Sequence, residues 1–182
     1  METAQQRFEQ IFDRHAQAVL AYCARRTETS HAHDLTSQVF TVAWRRIDDL
    51  PDGEEALPWL YGVAAKVLAN HRRATARFTR LVTKVSGLAM RHDPGPESQV
   101  VRNEEDREVR EALASLSRID REVIMLVAWE DLTRQQVAVA LECSQEAAKK
   151  RYQRALKRLE RRLGEHVNAV PTPHSAPEGG GS

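Results

Sequence analysis

The sequence predicts an all-α protein: two small helical domains joined by a flexible linker, the C-terminal one a four-helix domain with a helix-turn-helix. Three observations predict it. Apolar residues recur at three- and four-residue spacing through almost every segment, and β-type alternation persists nowhere. Aromatic residues are only 5% of the 182-residue chain against 41% apolar residues overall, so packing must rely on Leu, Val and Ala. The helical pattern breaks at "RHDPGPES", where Pro94 and Pro96 around Gly95 cannot continue a helix.

The first domain is expected over 1–75. In "FEQIFDRHAQAVLAYCARR", Phe8, Ile11, Phe12, His15 and Val19 share one helix face, and His15 there reads as a packed residue rather than a ligand. In "HDLTSQVFTVAWRRI", Leu35, Val39, Val42 and Ala43 make a core face, while Phe40, Trp44 and Ile47 make a second apolar stripe. A helix apolar on two sides sits deep inside or has a partner, and so small a domain favours the partner. Pro51, Gly53 and Pro58 mark the next connection, with Pro58 tolerated in a first helical turn. "LPWLYGVAAKVLANHRR" then aligns Leu57, Leu60, Ala64, Val67 and Leu68.

After Arg73 the periodicity weakens, although Phe78, Leu81, Val82, Val85 and Leu88 keep a helical spacing. Residues 76–104 are therefore expected as the linker. The second domain, 105–166, opens on "NEEDREVREALASL", whose acidic first turns suit the helix dipole. Its helices are expected at 105–115, 118–129, 133–140 and 145–163. The tail 167–182, "VPTPHSAPEGGGS" at its end, has the Pro-, Gly- and Ser-rich composition of a disordered segment.

Charge is distributed in blocks. The net charge is +1, but residues 57–92 hold seven basic and no acidic side chains, and residues 144–182 hold eight basic and four acidic ones. Two separated cationic blocks in a neutral chain suggest two surfaces that meet polyanions. The second block contains the clearest motif. A short helix at 133–140, a tight turn at Leu141–Ser144 and a longer helix is the helix-turn-helix layout. Val137, Ala138 and Leu141 face inward from the first helix, and Ala148, Tyr152, Ala155 and Leu159 from the second. Thr133 and Ser144 can each cap a helix N-terminus. The longer helix, about 10–12 Å wide, fits a major groove about 12 Å across. Its first turns would bring Gln145, Glu146, Lys149 and Lys150 to base edges, and Arg151, Arg154 and Arg158 would hold phosphates.

The rest of the chain resembles the small extracytoplasmic-function group of bacterial RNA polymerase sigma factors, over roughly 5–75 and 105–163. "AHDLTSQVFTVAW" is similar to the helix that grips core RNA polymerase, "PWLYGVAAKVLANHRR" to the segment that melts and reads the −10 promoter element, and "DREVIMLVAWEDLTRQQVAVALECSQEAAKKRYQRALKRL" to the −35-reading domain. The resemblance implies that Asp34, Leu35, Gln38, Val39, Phe40 and Trp44 meet core polymerase. It implies that Asp52, Trp59, Lys66, Asn70, Arg72 and Arg73 serve the −10 element, with Asp52 in a pocket for an extruded base and Trp59 placed to stack on one. It also implies promoter DNA as a ligand and an anti-sigma factor as a further partner. The chain departs from the family pattern at four positions. His33 stands where Glu is frequent, Gln38 where an acidic residue is, Lys66 where Asn is common, and Glu142 where the turn commonly has Gly. Glu142 would be strained if that position needs positive φ. Promoter elements some 20–25 base pairs apart lie about 70–85 Å apart at roughly 3.4 Å per base pair. A linker of 76–104 reaches up to roughly 100 Å when extended.

Other classes find less support. Cys23 and Cys143 show no metal-ligand spacing and read as small packed side chains. No nucleophile–base pairing, phosphate loop or metal cluster points to an enzyme, so no cofactor is expected. No apolar run approaches the roughly 20 residues of a membrane span. The opening "METAQQRFEQIFDRH" lacks a signal-peptide core, so the cytoplasm is the expected location and membrane insertion is not. The alternatives are a stand-alone helix-turn-helix regulator, or a helical adaptor whose basic helix contacts a protein or a membrane surface.

Overall fold

The structure, a computed structural model, describes residues 3–86 and 104–167. Its helices are α1 (Ala4–Ala24), α2 (Thr29–Arg45), α3 (Ala56–Ser86), α4 (Glu104–Ala114), α5 (Arg118–Ala128), α6 (Arg134–Ala140) and α7 (Gln145–Val167). Short 3-10 turns at Ile47–Asp49 and Gly53–Glu55 join α2 to α3, and the described residues contain no strand.

Local chemistry sets the helix starts. Thr3 and Gln6 form a reciprocal capping box on α1, and Thr133 and Gln136 form another on α6. The Ser117 hydroxyl accepts from the Asp120 N–H at 3.2 Å, and the Ser144 hydroxyl from the Ala147 N–H at 3.2 Å. Pro58 lies in the first turn of α3, where its missing N–H costs nothing.

The expected boundary at 75 falls inside a helix. Residues 76–86 of the expected linker are the last turns of α3, because nothing between Gly62 and Gly87 breaks it. At 31 residues α3 is about 46 Å long, and its far end leaves Phe78 and Leu81 largely exposed. The remainder of the linker, 87–103, and the tail from 168 lie outside the described residues.

The helices α1, α2 and α3 pack around Val19, Leu35, Val39, Leu60, Ala64 and Leu68. A smaller cluster of Leu116, Ile124 and Ala155, flanked by Tyr152 and Leu159, sits where α4, α5 and α7 meet. The interior does not end at the domain boundary. Val123, Leu126, Val137, Ala138 and Ala140 belong to the same buried cluster as the N-terminal core, because α6 packs on α3. At Gly62 the approach is so close that an added Cβ would sit 2.5 Å from the Ala140 carbonyl oxygen.

A polar network closes the same junction. The Arg26 side chain, 2% exposed, donates through Nη1 to Glu130 Oε1 at 2.8 Å, and Glu130 is also 2% exposed. Arg26 Nε reaches Glu122 Oε2 at 3.3 Å, and the Tyr22 hydroxyl donates to Glu122 Oε1 at 2.6 Å. Arg25 pairs with the second Glu130 oxygen. The Arg26 guanidinium lies 3.6 Å from the centre of the Tyr22 ring, which stacks on Tyr61 at 4.7 Å. Burial and then Glu130 push the Tyr61 hydroxyl up to about 12. Burial alone would lower the Arg26 pKa, but Tyr22 and the two carboxylates outweigh it and raise it.

Candidate nucleic-acid interface

The helix-turn-helix comprises α6, the turn Leu141–Ser144 and α7. The turn is a Schellman motif: the Cys143 N–H donates to the Ala138 carbonyl at 3.0 Å and the Glu142 N–H to the Val139 carbonyl at 3.1 Å. That motif requires a left-handed residue after the cap, and Glu142 occupies it with φ 49°. Cys143 is half-buried beneath the turn, and Cys23 is buried in the N-terminal core with burial raising its thiol pKa.

Ala148 and Ala155 fix α7 in place, with Tyr152 and Leu159 half-buried beside them. Gln145, Glu146, Lys149 and Lys150 are exposed on its first turns, and Lys150 lies 3.6 Å from Glu146 one turn back. Arg154 is exposed, with Nε 3.4 Å from the Lys150 carbonyl, whereas Arg151 is half-buried. Arg158 differs from the others: it pairs with the nearly buried Asp120 of α5 and so ties α7 to its own domain.

The residues expected at a −10 element divide as well. Asp52 is held by Arg7, whose Nη2 is 2.7 Å away and whose guanidinium also caps the Ile47 and Leu50 carbonyls. Trp59 is half-buried with the Arg46 guanidinium 5.2 Å from its ring centre, so it is partly a packing residue. Lys66, Asn70, Arg72 and Arg73 follow one another along α3. Lys66 Nζ lies 2.6 Å from Glu142 Oε1, Asn70 accepts from Arg73, and Arg72 donates to the Arg26 carbonyl at 3.0 Å. Burial lowers the Arg72 pKa, and Arg118 and Arg121 add to that while Glu122 and Tyr22 oppose it. Lys66, Arg72 and Arg73 line a cleft of about 250 Å³ whose far wall is Arg118, Glu122 and Glu142 of the other domain.

On α2, Asp34, Gln38 and Trp44 are exposed, whereas Leu35, Val39 and Phe40 are buried. The second apolar stripe is thus not fully open. Phe8 and Phe12 of α1 cover Phe40, with ring centres 6.3 and 4.8 Å from it. What reaches solvent is a ridge of Trp44, 46% exposed, and Phe12, 43% exposed, with Phe8 between them and 5.2 Å from Trp44. Leu35, Val39 and Phe40 hold this ridge in place from below; they cannot touch a partner without unpacking.

The Sigma-70 region 2 model matches residues 11–78, and the Sigma-70 region 4 model matches residues 106–159, about two thirds of the chain together. The chain belongs to the sigma-70 family. This sigma factor is 28% identical over 157 residues to RNA polymerase sigma factor NccH of Alcaligenes xylosoxydans xylosoxydans, covering 84% of each chain. It is 28% identical over 160 residues to ECF RNA polymerase sigma factor SigL of Mycobacterium tuberculosis, covering 85% of this chain and 88% of SigL. The fold matches that of RpoE from Bartonella quintana, solved with the anti-sigma factor NepR: the TM-score is 0.56 at 23% identity, over 86% of this chain and 96% of that one. It also matches CnrH, solved with the cytosolic domain of CnrY: the TM-score is 0.51 at 22% identity, over 90% and 89% of the two chains. The protein is thus a promoter-directing sigma factor of the extracytoplasmic-function type, with α1–α3 as its region 2 and α4–α7 as its region 4.

Sequence reasoning missed the junction between the regions. Tyr22 and Arg26 are four residues apart on α1, as residues on one helix face should be, but nothing in their spacing shows that Glu122 and Glu130 face them from about a hundred residues away. It did find both Lys66 and Glu142 as departures from the family pattern. The structure joins them in one ion pair. Among the described residues no group of three or more His, Cys, Asp or Glu is placed to hold a metal, and no helix is long and apolar enough to cross a membrane.

Proposed function

We propose that this sigma factor binds core RNA polymerase through α2, reads −35 duplex DNA with α7 and opens the −10 element with α3 and the loop before it. It acts in the cytoplasm and carries out no chemistry itself. The observation that carries this reading is the exposed cation row on α7, Lys149, Lys150 and Arg154, on a helix whose opposite side is packed. Gln145, Glu146, Lys149 and Lys150 meet base edges, and Arg151 and Arg154 meet phosphates. Arg158 reaches DNA only by sharing its guanidinium with Asp120. Each phosphate neutralised releases counterions, so binding weakens steeply with salt.

On the polymerase side, Asp34 and Gln38 are exposed on α2, and the Trp44–Phe12 ridge supplies apolar area to a partner surface. On α3, Lys66, Asn70, Arg72 and Arg73 track a promoter strand; Asp52 accepts from base amino groups, and Trp59 offers its free edge for stacking. Because RpoE was solved with the anti-sigma factor NepR, we extend an anti-sigma partner to this chain as well. Run-off transcription with purified core polymerase on a library of genomic fragments tests the proposal. Discrete start sites absent with core alone are expected. Duplex binding without any polymerase-dependent start site would favour a stand-alone regulator instead.

A further inference from the structure

We infer that Arg7 is a positioning residue for −10 recognition: its guanidinium holds the Asp52 carboxylate out of its own turn and leaves one carboxylate oxygen to a base. The inference rests on the base-contacting role assigned above to Asp52. It adds a residue on another helix that sets how selective that contact is.

The first ground is a cap that is not made. Asp52 stands at the N-terminal cap of the 3-10 turn Gly53–Glu55. An aspartate at such a position ordinarily accepts from a backbone N–H two or three residues on. The Asp52 side chain makes no such bond. Its carboxylate is turned to Arg7 instead, and both contacts fall on Oδ1, from Nε at 3.2 Å and from Nη2 at 2.7 Å. The side chain is 87% exposed, so Oδ2 is left to accept from a base amino group. Without Arg7, nothing opposes the return of the carboxylate to its own turn, where the backbone N–H groups would take the lone pairs a base needs.

The second ground is that the same guanidinium holds the loop backbone. Nη1 donates to the Ile47 carbonyl at 2.8 Å, and Nη2 donates to the Leu50 carbonyl. Ile47, Leu50 and Asp52 are therefore referred to one rigid planar fork, a geometry that a lysine ammonium cannot reproduce. The fork stands on a fixed base. Arg7 lies in the first turn of α1, which the Thr3–Gln6 capping box closes, and its own N–H donates to the Thr3 carbonyl at 3.0 Å. The third ground is charge. Residues 48–55 carry five carboxylates, those of Asp48, Asp49, Asp52, Glu54 and Glu55. Arg46 lies 3.0 Å from Asp49, and Arg7 offsets the charge of Asp52, the carboxylate that must approach a strand of phosphates.

Run-off transcription on a promoter library randomised across the −10 element tests this, with full-length Arg7→Ala, Arg7→Lys and Asp52→Ala proteins and core polymerase. Asp52→Ala should flatten base preference at one position and so marks the base it contacts. At that position the ratio of preferred to least preferred base is read within each reaction, so a loss of overall activity cancels. Arg7→Ala should lower the ratio at least about fivefold, the smallest discrimination that a well-paired base edge supplies. Arg7→Lys, which keeps the charge and loses the fork, should fall with Arg7→Ala, and −35 preference should stay at the wild-type value in both. Hydrogen exchange of the free proteins gives a readout without DNA: amides in 47–55 should exchange faster in both Arg7 variants, while circular dichroism shows the helices retained. A purely structural Arg7 would lower melting temperature and total transcript and leave the base ratio unchanged, which would overturn the inference. Wild-type exchange in the loop would overturn it too, and full selectivity in Arg7→Lys would overturn the role of the fork in favour of charge alone. If Asp52→Ala flattens no position, the base-contacting role of Asp52 fails and the inference with it; flattening by Asp52→Ala but not by Arg7→Ala removes the inference alone.

Discussion

Replacing Glu142 acts in two opposite directions, and the structure gives the size of each. Glu142 sits at φ 49° after the end of α6, a conformation costing an L-residue about 1 kcal/mol that glycine does not pay. Glu142 also pairs with Lys66, but the two side chains are 55% and 56% exposed, so water screens the pair to at most about 1 kcal/mol. Glu142→Ala loses the pair and keeps the strain; Glu142→Gly loses both. The glycine variant should therefore be more stable than the alanine variant by about 1 kcal/mol, or about 2–4 °C in a chain of this size. Calorimetric melting of the three proteins measures this directly. Repeating it with Lys66→Ala separates the terms. The gap between glycine and alanine should persist, because the strain is local, while the cost of Glu142→Ala should shrink toward zero. A glycine variant that melts at or below the alanine variant would refute the reasoning, since the turn would then carry no left-handed penalty.

Three further outcomes follow from the same geometry. Lys149→Ala should relax sequence preference on duplex DNA, whereas Arg154→Ala should weaken binding evenly and reduce the salt slope by about one; anisotropy titrations over a salt series distinguish them, and equal effects would contradict the division between base and phosphate contacts. Trp44→Ala should weaken core polymerase binding at least about fivefold, in line with removing an aromatic anchor worth more than 1 kcal/mol, while duplex binding stays unchanged; equilibrium binding to labelled core reads it. His15 is buried, and burial with Arg14 beside it holds its pKa below the usual 6.5. The unfolded chain therefore takes up a proton first as pH falls, so stability is full above about 6.5 and is lost as pH drops below it. Urea midpoints at pH 7.5 and 5.5 should show that loss, and His15→Gln should reduce it.

How much of this was legible in the sequence depends on the range of the interaction. The helices were legible because apolar spacing and capping residues are local signals: Thr133 and Ser144 both cap where their positions suggested. The turn strain at Glu142 was legible because backbone chirality makes glycine the natural residue there. The end of α3 was not, since weakening periodicity after Arg73 reflects an exposed helix, with Phe78 and Leu81 open to solvent, rather than the absence of one. The burial of Phe40 was not legible either. Its stripe on α2 is covered by Phe8 and Phe12, residues whose own helix face was read as core. The junction of Arg26 with Glu122 and Glu130 depends on tertiary contact between charged residues about a hundred positions apart, and no periodicity reports that. For the same reason Lys66 and Glu142 stood out singly, and their pairing emerged only in three dimensions.

Hydroxyl-radical footprinting of the holoenzyme on a promoter recovered by run-off selection is the most direct measurement of one chain gripping DNA in two places. Two protected patches separated by an unprotected stretch are predicted, with Lys149→Ala and Arg154→Ala weakening only the upstream one. A single continuous patch, or an upstream patch indifferent to both substitutions, would contradict the account.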